Sequence, residues 1–142
     1  MINLKLIYKI IGSLLFIEAM MLLVCLGVSV YYHEDDLLAF VCSIAISAGT
    51  ALVLRLFARN CDNNLSRRDA YLVVTLTWVV FSLFGTLPFL IGGYLHSFTD
   101  AFFETMSGFT TTGASIIDDV DALPHGILFW RSFTQWIGGL GI

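Results

Sequence analysis

Three long apolar runs dominate the chain, near residues 10 to 32, 37 to 58 and 70 to 94. Each reaches the roughly 20 residues that carry a helix across a ~30 Å hydrocarbon core, so each is expected to be a transmembrane helix. Pro88 is expected to kink the third, because its ring removes one backbone donor and crowds the preceding turn. Beyond Tyr94 the pattern changes. In HSFTDAFFETMSGF, the residues Phe98, Ala101, Phe102, Thr105 and Phe109 recur at helical spacing, and Ser97 with Asp100 fits a capping box. This helix holds only about 12 residues, roughly 18 Å, which is too short to cross. It must enter the membrane and come back. An acidic cluster follows, Asp118, Asp119 and Asp121, and Pro124 then suits the first turn of another apolar run. That run is still under way at Ile142, so the last helix is expected to be cut short.

Composition agrees with a bilayer protein. Of 142 residues, 58% are hydrophobic and 13% charged, and the mean hydropathy is +0.86, whereas a soluble surface needs about 25% charged residues. The net charge of −4 says less than where the charges lie. Arg55, Arg59, Arg67 and Arg68 crowd the second connection and Glu34, Asp35 and Asp36 occupy the first, which puts the amino terminus in the cytoplasm. Lys5 and Lys9 resemble the basic start of a signal peptide. The run behind them is too long, carries Glu18 and lacks a small-residue cleavage site, so it reads as a retained span. The basic residues form no stripe for nucleic acid. Cys25, Cys42 and Cys61 lack zinc or redox spacing and read as packing residues and one reduced loop thiol, with no disulfide.

The segment MSGFTTTGASII, residues 106 to 117, raises the functional question. Unpaired backbone is not tolerated in hydrocarbon, so a non-helical return must be buried in protein or line water. Thr110, Thr111 and Thr112 favour extended backbone, and Gly113 admits positive φ. An extended threonine run ending in glycine can turn successive carbonyl oxygens toward one axis and replace the water shell of a monovalent cation. The negative end of the short helix favours such an ion. Asp118, Asp119 and Asp121 would raise cation concentration outside, within a screening length of roughly 8 Å.

LPF, then DAFFETMSGFTTTGAS, then LPHGILFWRSFTQWIGGLGI resembles the first helix, pore-loop, helix repeat of the TrkH family, the membrane subunits of bacterial Trk potassium uptake systems within the wider Trk/Ktr/HKT superfamily. The likeness extends through the two preceding spans, which match that family's extra amino-terminal pair. It implies an all-α integral membrane protein: residues 1–62 form the amino-terminal helix pair, and residues 63–142 form the first repeat of a potassium-channel-like fold, incomplete at its carboxyl end. By position, Thr111, Thr112 and Gly113 match the filter, with potassium as the transported ligand and Thr110, Ala114 and Ser115 supporting it. The resemblance implies four such repeats in one polypeptide, transport across the bacterial inner membrane, no catalysis and no cofactor. It also implies a homodimer regulated by a cytosolic nucleotide-binding partner such as TrkA. One repeat supplies one quarter of a ring, so the chain reads as an amino-terminal fragment rather than a self-assembling tetramer.

Charges at bilayer depth cost about 2.5 to 3.5 kcal/mol and seek partners. Glu104 on the short helix is expected to pair with Arg131 on the last and brace the loop; ion coordination by Glu104 is the alternative. Glu18 either faces a protein neighbour or snorkels. Trp130 fits an interfacial aromatic belt. Gly138, Gly139 and Gly141 mark either a hinge or a close helix approach. Two rival classes stand beside transport. Ser115, Asp118 and His125 are the residue types of a serine hydrolase, but no GxSxG context surrounds Ser115. A non-transporting packing or assembly protein explains the spans and leaves the TTTGAS return without a purpose.

Overall fold

The computed structural model describes residues 3–60 and 66–141. Cys61 and the boundary between residues 62 and 63 lie outside them. The helices are α1 (Leu4–Tyr32), α2 (Leu37–Phe57), α3 (Arg67–Gly85), α4 (Leu87–Ile91), α5 (Phe98–Phe109) and α6 (His125–Gly139). Three stretches are long and apolar enough to cross a membrane: α1, α2, and the combined run Arg67–Ile91. The chain is a multi-pass membrane protein.

Helix ends follow side-chain capping, though not everywhere the sequence suggests. Asn3 accepts from the Leu6 amide at 3.2 Å and opens α1. Ser66 and Asp69 form a reciprocal capping box at the start of α3, which satisfies two amides that the helix leaves free. The box expected at Ser97 and Asp100 does not form: Ser97 is the N-cap of α5 without a side-chain bond. α1 closes on His33 in the left-handed region, φ 55, with the Glu34 amide bonded to the Ser29 carbonyl at 3.2 Å.

The third span breaks at Thr86, two residues before Pro88, and resumes as α4. The ring of Pro88 withholds an amide there. Trp130 of α6 donates its indole Nε1–H to the Gly85 carbonyl at the break, 3.1 Å away. Trp130 is therefore no member of an interfacial belt. It is fully buried, because its one polar atom finds an acceptor inside the bundle.

α1 packs along α2 and against α3 and α6. Leu22, Cys25, Phe40, Phe81, Phe89, Phe109 and Trp130 interdigitate in the main core. Lipid offers no hydrophobic drive for helices to associate, so contact depends on close fit. At Gly12 an added Cβ would lie 3.0 Å from the Ala51 carbonyl oxygen, which is how α1 and α2 come together. Phe16, Ile17, Met20, Leu23, Leu52, Leu56 and Phe57 face outward.

α6 is described close to the last residue of the sequence. It closes at Gly139, with Leu140 as cap and Gly141 at φ 73. Glycines weaken a helix by about 1 kcal/mol each relative to alanine, and three of them lie in the last four described residues.

Candidate ion-filter segment

α5 carries the segment into the bundle. Small residues set its position: a Cβ on Gly85 would overlap Thr105, one on Gly108 would overlap the Thr134 hydroxyl, and one on Gly138 would overlap the Phe109 carbonyl oxygen. Gly138 thus serves close approach. Aromatic packing completes the seat, with Phe109 edge-on to Trp130 at 6.3 Å and tilted against Phe81 at 5.4 Å.

The backbone leaves the helix earlier and more sharply than an extended threonine run would. Thr110 is the C-cap at φ −82 and ψ 2, and Thr111 is left-handed at φ 56. The Thr111 amide bonds the Gly108 carbonyl at 2.9 Å and the Thr112 amide bonds the Ser107 carbonyl at 3.0 Å. These are the two bonds of a Schellman closure. The residue in its left-handed position is usually glycine, and here it is β-branched, at a cost of about 1–2 kcal/mol. Gly113 also takes positive φ, 76, which glycine does without strain.

Once the closure is made, the donors of the turn are used up and the acceptors beyond it are not. Met106 O takes the Thr110 amide and hydroxyl, and Ser107 O takes the amides of Thr112 and Gly113. The Ser107 hydroxyl reaches forward to the Ala114 carbonyl at 2.5 Å. Thr110 and Thr112 hydroxyls lie 2.9 Å apart. Among the described residues, no donor reaches the carbonyl oxygens of Thr111, Thr112 and Gly113, and all three residues are exposed in the single chain.

Glu104 holds the far side of the return. Its carboxylate accepts from Arg131 Nε at 2.6 Å, the Ser115 hydroxyl at 3.0 Å and the Ile116 amide at 3.0 Å. It is only 4% exposed, so these bonds supply what water would otherwise give. Glu104, Ser107, Gly113, Ala114, Arg131 and Gln135 line a partly open cavity of about 10 Å³ behind the return, room for about one water. Ser107 and Gln135 were not singled out from sequence. Ser107 is one turn from Glu104 on the same helix face, which is the signal that could have found it.

Glu18 is the opposite case. It is fully buried and both carboxylate oxygens lack a hydrogen-bond partner among the described residues. It faces protein, beside Gly85, and does not snorkel. The hydrolase residues are not brought together as a triad: the Ser115 hydroxyl is on Glu104 and the His125 ring is on Glu34.

Three spans, with a short helix, a return of free carbonyls and a following helix packed among them, define an all-helical, multi-pass membrane protein. The model of the TrkH family, described as cation transport protein, matches residues 37–142, and the chain belongs to that family. It is 38% identical over 141 residues to a Trk system potassium uptake protein TrkH of Halomonas elongata, covering 99% of this chain and 29% of that protein. The corresponding protein of Vibrio parahaemolyticus is 39% identical over 137 residues, 96% of this chain and 28% of the relative. The crystal structure of the potassium transporter TrkH from Vibrio parahaemolyticus superposes with a TM-score of 0.92 at 38% identity, over 98% of this chain and 30% of that one. The chain thus spans under a third of the length of the relatives it matches.

Proposed function

We propose that this chain supplies one of four filter segments of a potassium-translocating subunit, together with the helix pair that precedes the first repeat. Thr111, Thr112 and Gly113 offer their carbonyl oxygens to the ion. Thr110, Ala114 and Ser115 shape the return, and Glu104 with Arg131 braces it. The observation that carries this reading is the run of free carbonyls at residues 111–113, held by a Schellman closure on one side and by Glu104 on the other. A monovalent cation stripped of water needs such oxygens. The named potassium uptake activity of the relatives supports potassium as the ion.

The subunit works in the bacterial inner membrane with its amino terminus in the cytoplasm. Its acidic turn, Glu34 to Asp36, lies at one end and Arg55, Arg59, Arg67 and Arg68 cluster at the other, as the positive-inside bias requires. It forms a homodimer governed by a cytosolic nucleotide-binding subunit of the TrkA kind, and it is a transporter rather than an enzyme.

Rubidium uptake by cells that depend on the complete transporter tests the filter. Gly113→Ala places a side chain at φ 76, and uptake should fall about tenfold or more at unchanged protein level. Uptake equal to the parent would remove Gly113 and its carbonyl from the ion path.

A further inference from the structure

The α1–α2 turn grips the start of α6. Glu34 Oε1 accepts from the His125 amide and from His125 Nδ1–H, each at 2.7 Å, and Oε2 accepts from the Gly126 amide at 3.1 Å. Pro124, the N-cap of α6, has no side-chain acceptor to offer. A carboxylate 91 positions earlier in the chain does that work. A negative charge at a helix N-terminus is favoured by its free amides and by the helix dipole. Tyr32 stacks on the His125 ring, centroids 3.9 Å apart and planes within 4°. Gly126 leaves the space: an added Cβ would lie 2.8 Å from Asp36 Oδ2 and 2.9 Å from the Phe40 ring. The Schellman closure of α1 fixes the Glu34 backbone, since its amide is bonded to Ser29.

The return between α5 and α6 therefore lies between two carboxylates. Glu104 holds Ser115, Ile116 and Arg131, and Glu34 holds His125 and Gly126. Arg131 stands on the helix whose first turn Glu34 fixes. We propose that Glu34 is a positioning residue for the filter return: it ties α6 to the amino-terminal helix pair, which lies outside the repeat, and so sets where Arg131 and Glu104 hold the loop. The link from position to ion passage rests on the transport reading above; the clamp itself does not.

Acid should open the clamp. Burial pushes the Glu34 carboxyl up, but the hydrogen bonds from His125 and Gly126 outweigh it and leave the group below its ordinary range. A depressed carboxyl contributes at pH values above its unfolded range and loses its contribution as pH falls through the folded value. Asp36, beside it, is pushed up by burial and by the charges of Glu34 and Asp35, against a bond from Ser29. Protonation of Asp36 removes a charge that repels Glu34. Tyr94 also faces the cluster, raised by burial and by Asp36, Glu34 and Asp35, and His125 faces it from α6.

Hydrogen exchange of the chain in lipid nanodiscs, corrected for intrinsic rate and followed from neutral pH down through the carboxylate range, reads the clamp directly. Peptides covering the start of α6 should lose protection in acid while those of α1 keep it. Glu34→Gln should exchange there about tenfold faster at neutral pH and lose the acid step. Glu34→Asp should recover part of the protection, and Asp35→Asn, an exposed neighbour, should match the parent. Equal protection in Glu34→Gln and the parent overturns the clamp; if that variant does not accumulate, absence of the acid step in the parent overturns it. In the complete transporter, Glu34→Gln should slow rubidium uptake several-fold with partial rescue by Glu34→Asp. Altered exchange with unaltered uptake overturns the positioning role. Loss of uptake in the parent as well counts against the transport reading, and exchange still decides the clamp.

Discussion

α1 and α5 each bury a glutamate and each end on a left-handed residue that is not glycine, yet the two helices treat these features differently. Glu104 in α5 has an arginine, a hydroxyl and a backbone amide for partners. Glu18 in α1 has none among the described residues. His33 closes α1 at φ 55 and Thr111 closes α5 at φ 56, with the same pair of backbone bonds. Histidine is enriched in that region, whereas a β-branched residue there is strained. The long helix keeps an acid that nothing among the described residues answers. The short helix spends strain and three hydrogen bonds to hold one loop in one place.

Removing the guanidinium is the hardest test of this contrast, because Arg131→Ala takes from Glu104 its charged partner and leaves it only the Ser115 hydroxyl and the Ile116 amide. Breaking a buried pair from one side costs 3–5 kcal/mol; with Arg131 a quarter exposed, a loss of about 3 kcal/mol is expected in the detergent-unfolding free energy. A loss below about 1 kcal/mol would mean the pair behaves as a surface bridge. The two left-handed ends come next. Thr111→Gly should raise stability by about 1 kcal/mol and His33→Gly by only a few tenths, and equal gains would show that the threonine is unstrained. Glu18→Gln should have the smallest effect, a change within about 0.5 kcal/mol or a slight gain, since no partner is lost. A drop as large as that of Arg131→Ala would reveal a partner and end the contrast.

The spans and the short helix α5 are legible in sequence because length decides them. A run of twenty apolar residues crosses and a run of twelve cannot. The meeting of Glu104 with Arg131 is legible for a similar reason: two charges of opposite sign at depth have few other places to go. Thr111 is not legible. TTTG offers one glycine for a left-handed turn, and Gly113 takes positive φ, but the helix has already closed two residues earlier. The local bonds to the Ser107 carbonyl close the helix there, and the close approach of Gly138 to Phe109, which is tertiary, fixes that register. Glu34 escapes for another reason. In sequence it is one acid among three in a turn and informs topology alone, while its partners lie in a helix that begins 91 residues later. Ser66 and Ser97 show the limit of local rules, since both precede an aspartate three residues on and only Ser66 makes the box.

The indole of Trp130 sits on the carbonyl of Gly85 where the third span is interrupted. That single bond joins the bend of one membrane segment to the rotational setting of another. Were α6 to turn about its own axis, the indole would withdraw and leave a bare oxygen in a dry interior, so the proline break acts as a detent that indexes α6 to one angle.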